Sequence, residues 1–304
     1  MDRRIVWVHG IGDHTRGYSD SWREAFNPHL QLPNESFVEV FWEAVFDPPE
    51  PGSRSGVRAH EALTLTPEEE LQAQRLRAEL TVLLQARQSG LEQGPTPGER
   101  ETAPPAGDRS ESRSPSGQQP LVWTDPDAPD SADRGDRGVG NWGTWLFRPD
   151  EFLGDFVRYL VSRSVRSAVK ERFKERLRPI VAASPGIAVV AHSWGTVVAY
   201  DSLLDLSGEV PALQVGDLFT LGSPLWMVRH FLEDGSGRKP ANLANFVNVH
   251  ARGDVVGSWL RPAFQVDKDF QVPSIGADAH GSYFVEGNEA VQHNIVAVDV
   301  LRAA

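Results

Sequence analysis

Apolar residues along this chain come in two spacings that alternate from one end to the other. Short apolar runs stand at residues 5–8 (IVWV), 37–42 (FVEVFW), 187–191 (IAVVA), 218–221 (LFTL) and 246–249 (FVNV). Each is too brief for a helix and is bounded by turn-forming residues, so each predicts a buried strand. Between them lie stretches with helical spacing. Residues 21–30 predict a first helix. The next has a full start signal, with Thr66 as cap, Pro67 at the first helical position and Glu69 completing a capping box. Leu76, Leu80, Leu83 and Leu84 form its apolar stripe, which runs out near Gly90. Phe156, Leu160, Val165, Val169, Phe173 and Leu177 mark another helical pattern. One more follows the turn at residues 192–196 and runs through Leu204, and a closing helix starts at about Asn288. Residues 283–285 predict a short strand. Strands alternating with helices predict an α/β fold with a mostly parallel central sheet and helices on both faces.

Two stretches interrupt the alternation. Pro48, Pro49, Pro51 and Gly52 break regular structure after the second strand. Residues 91–140 are different in kind. The segment ERETAPPAGDRSESRSPSGQQP has no aromatic or β-branched apolar residue, and DPDAPDSADRGDRG is acidic and glycine-rich. Neither can bury enough apolar surface to form a core, so 91–140 reads as a low-complexity disordered insertion within a single domain spanning 1–304. Val122 and Trp123 are candidates for local docking. Trp142, Trp145, Leu146 and Phe147 mark the return to folded chain and form a candidate lid or acyl-chain surface.

Charge changes the picture in one place. Between Arg158 and Arg178 there are eight Arg or Lys against Glu171 and Glu175, which predicts a surface helix with a basic outer face. Peripheral contact of residues 158–178 with an anionic membrane is the alternative use of that face. The whole chain of 304 residues carries a formal charge of −12, which argues against nucleic acid as a partner. The chain has no cysteine, which removes disulfides, cysteine nucleophiles and thiolate metal sites. No signal-type apolar region or 18-residue apolar span stands in it, so a cytoplasmic location is the default expectation. No phosphate loop or convincing metal cluster is found; His9, Asp13 and His14 are close in sequence but do not make one, and no cofactor is expected.

The most informative segment is VVAHSWGTVVAY. It places Ser193 at a strand end, two residues before a glycine and ahead of an apolar helix. A serine held on such a turn presents its hydroxyl to a crevice as a candidate nucleophile. The Trp194 amide beside it lies near a helix N-terminus, where developing negative charge is stabilised. The first glycine of the usual pattern is replaced by Ala191, small enough for a crowded turn. A second amide, that of Ile11, is expected from the turn His9-Gly10-Ile11-Gly12 after the first strand, with His9 bonding within that loop. The indole of Trp194 suggests an apolar pocket wall. Candidate bases after the serine are His230, His250, His280 and His293, and His280 in DAHGSY is favoured by its late position in a polar turn. Candidate acids are Asp254, just past the strand FVNV, then Asp278 and Asp217; Asp278 is too near His280 to reach round its ring, and Asp217 lies before its strand.

HGIG, AHSWGTVVAY, TLGSPL, NVHARGDVV and AHGSY together resemble the α/β-hydrolase superfamily, and within it the lipase and serine-esterase branch that includes the inositol-deacylase-like lipases. The resemblance covers roughly residues 1–50 and 150–300. It implies a serine hydrolase acting on a small-molecule or lipid ester, with Ser193 as nucleophile, Asp254 as acid, His280 as base and the loop after His9 serving the oxyanion hole. Thioesterases, amidases and peptidases use the same three residue types. A binding module that keeps the fold without turnover is the reading from another class.

Overall fold

The computed structural model describes residues 3–10, 17–42, 45–46, 63–92, 149–183 and 186–302. The expected insertion therefore lies outside the described residues from 93 onward, as do Val122, Trp123, Trp142, Trp145, Leu146 and Phe147.

Six strands form one sheet: β1 (Arg3–Val8), β2 (Phe37–Val40), β3 (Gly186–His192), β4 (Val215–Leu221), β5 (Leu243–Ala251) and β6 (Lys268–Val272). Their order is β2-β1-β3-β4-β5-β6, and every adjacent pair is parallel. The side-chain period of two sorts each strand between two cores. In β1, Ile5 and Trp7 pack on one face while Val6 and Val8 pack on the other. In β3, Ala188 and Val190 join the first cluster, and Ile187, Val189 and Ala191 the second. The first face is covered by α1 (Asp20–Leu30) and by the C-terminal segment, which runs from α7 (Glu289–Val291) through a π-helical turn (Gln292–Ala297) to α8 (Val298–Arg302). The second face carries α2 (Pro67–Glu92), α3 (Pro149–Val161), α4 (Arg163–Ala183), α5 (Gly195–Glu209) and the short α6 (Leu225–Val228). This is the parallel α/β sheet that the alternating pattern predicts, in the α/β-hydrolase topology that the resemblance implies.

The chain leaves β1 toward β2 on one side and re-enters at β3 on the other. The carboxyl ends of β1 and β3 therefore face a topological switch point, where open α/β sheets form their crevice.

The capping box at the start of α2 forms as expected. Glu69 N donates to Thr66 Oγ1 at 3.2 Å, and Thr66 N donates to Glu69 Oε2 at 2.9 Å. The backbone bond from Thr66 lowers the Glu69 carboxyl from its ordinary value. Leu76, Leu80 and Leu84 are buried with Ala73, but Leu83 is 38% exposed and does not belong to the buried stripe.

Three expectations are corrected. Residues 283–285 do not form a strand. Ser282–Phe284 is a 3-10 turn, because Tyr283 turns inward while Phe284 stacks on Trp22 with ring centroids 3.9 Å apart. The basic segment is two helices, α3 and α4, joined at the buried Ser162. Arg163 and Arg176 are exposed, but half of the eight cations turn inward instead of joining an outer face. Arg166, Lys170, Lys174 and Arg178 stand four residues apart on α4 and face Asp201, Asp205 and Glu209, also four apart on α5. Lys170 Nζ lies 2.9 Å from Asp205 and 2.8 Å from Glu233; Lys174 Nζ lies 2.6 Å from Glu209 and also pairs with Glu171. Arg178 reaches Glu209 at 2.7 Å, and Arg166 Nη2 donates to the Phe231 carbonyl at 2.9 Å. Both lysine side chains are buried, so these two cations are committed to partners inside the protein. No helix among the described residues is long and apolar enough to cross a membrane.

Candidate active site

Ser193 sits one residue past β3 with φ of 53°, a left-handed backbone that a serine rarely adopts. The turn is held at several points. Ser193 N donates to the Leu221 carbonyl at 2.9 Å. Thr196 Oγ1 donates to the Ser193 carbonyl at 2.7 Å and accepts from Ser223 Oγ at 2.7 Å, which ties the turn to the loop after β4. Gly195 explains why the motif needs glycine here, since a Cβ would lie 2.0 Å from the His9 carbonyl oxygen. Ala191, where a glycine is usual, is fully buried in the core without such conflict.

Three loops from distant parts of the chain meet at this serine. Ser193 Oγ donates to His280 Nε2 at 2.9 Å, and His280 Nδ1 donates to Asp254 Oδ1 at 2.9 Å. All three side chains are buried. Asp254 Oδ1 also accepts from the amides of Val256 and Gly257 at 2.8 and 2.9 Å, and Oδ2 accepts from Tyr283 Oη at 2.6 Å. Burial by itself raises the Asp254 carboxyl. The facing His280 and the hydrogen bonds from His280, Tyr283 and Gly257 outweigh burial and hold the carboxyl well below the usual carboxylate range.

The rival residues are placed elsewhere. Asp278 accepts from the backbone N–H of His280 at 3.0 Å rather than from its ring, and burial raises its carboxyl. Asp217 lies inside β4, not before it, toward the opposite edge of the sheet, where Asn245 Nδ2 donates to it at 2.6 Å. His250 lies inside β5, beside Gln271 and against the Trp259 ring, and burial lowers it from its ordinary value. His230 and His293 are exposed. His9 Nδ1 donates to the Gly10 carbonyl at 2.6 Å, and its ring stacks on Trp42, whose Nε1 donates to the His9 carbonyl at 2.9 Å. Trp194 is the cap residue of α5, and its indole is buried in the core against Phe156, with ring centroids 3.7 Å apart. Ile11, Gly12, Asp13 and His14 lie outside the described residues.

Four supporting features escape the sequence reading. His192 Nε2 donates to the His280 carbonyl at 2.8 Å; a carbonyl only accepts, so this nitrogen carries the proton. Gly222 has φ of +61°, and a Cβ there would approach Asp254 Oδ2 to 2.8 Å and the His280 ring to 3.0 Å. Arg87, near the end of α2, donates to the Gly257 carbonyl at 2.8 Å and lies over the Trp226 ring, whose Nε1 donates to the Val256 carbonyl at 2.7 Å. Burial lowers the Arg87 guanidinium from its ordinary value, against the opposing charge of Asp254. Tyr283 is the fourth. Only the glycine in TLGSPL leaves a local trace, as glycine at a strand end does.

A buried serine, histidine and aspartate, joined in that order at the carboxyl edge of a parallel sheet, define a serine hydrolase of the α/β-hydrolase type. No protein-family model matches the chain, and no curated protein matches it.

Proposed function

We propose that this chain cleaves a carboxylic ester of a small molecule through an acyl-enzyme on Ser193, with His280 as base and Asp254 as acid. The observation that carries the reading is the unbroken chain from Ser193 Oγ through the His280 ring to Asp254, with 2.9 Å at each step. In the acylation step His280 Nε2 takes the hydroxyl proton as Oγ attacks the carbonyl carbon. Asp254 keeps the proton on Nδ1 and stabilises the imidazolium that forms. The tetrahedral oxygen is assigned to the amides of Trp194 and Ile11, with His9, Gly10 and Gly12 shaping that loop. The imidazolium then protonates the departing alkoxide, and water deprotonated by His280 releases the acid. The sequence motifs favour the lipase and serine-esterase branch, and the same motifs support one catalytic domain over 1–304 with 91–140 inserted in it.

The test is intact-mass detection of fluorophosphonate labelling. One adduct is expected on the wild type and none on Ser193→Ala, with turnover of short aryl esters falling by about 10⁶-fold. A folded wild type that takes no adduct would sink the reading.

A further inference from the structure

Asp254 has one oxygen for the histidine and the loop amides, and its other oxygen faces a phenol. Tyr283 is fully buried, and its hydroxyl is fixed from both sides: it accepts from Ala251 N, the last residue of β5, at 2.8 Å and donates to Asp254 Oδ2 at 2.6 Å. The turn that carries it is pinned from the C-terminal segment. Asn288 Nδ2 donates to the Ser282 carbonyl at 2.7 Å, and Gln292 Nε2, in the π-helical turn, donates to the carbonyls of Val285 at 2.7 Å and Tyr283 at 3.3 Å. A side chain that merely filled this space would need no hydroxyl, and phenylalanine would pack in it.

We propose that Tyr283 is a positioning residue that acts through Asp254: its hydroxyl fixes which carboxylate oxygen faces His280 and draws off part of the charge that the imidazolium feels. This rests on the serine-hydrolase reading of Ser193, Asp254 and His280. Burial and the adjacent Asp254 charge push the Tyr283 phenol well above its ordinary value, so it remains a donor across the working pH range. Other ionisable groups face the pair: His192 at the end of β3, His250 in β5, Arg87 from α2 and Asp278 two residues before the histidine. Among the described residues, only Tyr283 donates a side-chain hydroxyl to Asp254. Removing that donor leaves more negative charge facing His280, so the proton is held to higher pH.

The experiment follows the second-order rate of fluorophosphonate labelling from pH 5 to 9, on the order of the range where histidine titrates. For Tyr283→Phe the plateau rate is expected to fall about tenfold, and the midpoint of the acid limb to move up by about half a pH unit. Placing 3-fluorotyrosine at 283 keeps the shape and both hydrogen bonds but makes the phenol a stronger donor, so the midpoint should move down. This second variant decides the matter if Tyr283→Phe does not fold. A midpoint unmoved in every folded variant overturns the proposal and leaves Tyr283 a packing residue. Wild type that labels normally separates that outcome from failure of the serine-hydrolase reading, in which the wild type itself takes no label.

Discussion

Two places in this molecule take ionisable groups out of water. At the seam between α4 and α5, Lys170 and Lys174 are buried against Asp205, Glu209, Glu171 and Glu233. At the carboxyl edge of the sheet, Asp254 and His280 are buried beside Ser193. Burial does not tell them apart, and neither does the count of hydrogen bonds. The difference lies in what each group is left able to do. Seam lysines stand on a regular helix and meet several carboxylates at once, so each cation has its opposite. At the sheet edge a single carboxylate is saturated by four donors while the histidine bonded to it keeps its second nitrogen on an uncharged hydroxyl. That hydroxyl stands on a left-handed serine, a backbone the seam contains nowhere among its described residues. A proton has somewhere to go at the edge and nowhere to go at the seam.

The largest effect that tests this contrast comes from removing charge while keeping shape. Asp254→Asn is expected to cut the labelling rate at Ser193 by about 10³-fold, because the neutral amide no longer stabilises the imidazolium. The fold should survive, since the Val256 and Gly257 amides still find an oxygen. A folded Asp254→Asn protein that labels at the wild-type rate would show that the acid is not coupled to the serine, and the contrast would collapse.

The two regions were also unequally legible in the sequence. Strands β1, β3, β4 and β5 are legible because each is buried on both faces and reads as an apolar run. KDFQV, which becomes β6, is an edge strand with one buried residue of five and offers no such run. Ser193, Asp254 and His280 are visible because each follows a strand or sits in a polar turn in a recognisable order. Tyr283 is not, since its partner Asp254 is 29 residues away and nothing local marks a tyrosine that donates to it. The seam could have been read and was missed for a different reason. Its seven cations suggest a solvated face when α4 is considered alone. Only the matching period of four in Asp201, Asp205 and Glu209 on α5 shows that the two helices present complementary rows to each other.

A smaller effect, with the opposite signature, is expected at the seam. Lys174→Met leaves Glu171, Asp205 and Glu209 facing an apolar side chain. The lysine side chain is 3% exposed but its partners are 30–46% exposed, so water relieves part of the loss. A destabilisation of about 1–3 kcal/mol is expected in urea unfolding. The labelling rate at Ser193 should stay within about twofold of wild type, because independent sites at this separation rarely couple strongly. Labelling that fell by tenfold or more in folded protein would mean that the seam sets the geometry of the edge.

The smallest effect separates the regions by pH. Burial lowers the Lys170 and Lys174 ammonium groups, but Asp201 and hydrogen bonds to Glu233 and Asp205 at one, and to Glu171 and Glu209 at the other, outweigh it and raise both above the ordinary lysine value. A group raised in the folded state contributes stability that is fully present below its unfolded value, about pH 10.4 for lysine, and is lost as pH rises through the folded value. Asp254 is depressed, so its contribution is present above about pH 3.9 and is lost as pH falls. Melting curves of Lys174→Met and Asp254→Asn should therefore approach that of wild type at opposite ends of the pH range. The gap between wild type and Lys174→Met should narrow above about pH 10.5 and hold steady in mild acid. The gap to Asp254→Asn should narrow below about pH 4 and be indifferent to alkali. A seam gap that persists unchanged through strong alkali would mean that Lys174 stabilises α4 and α5 through the packing of its methylenes rather than through its charge.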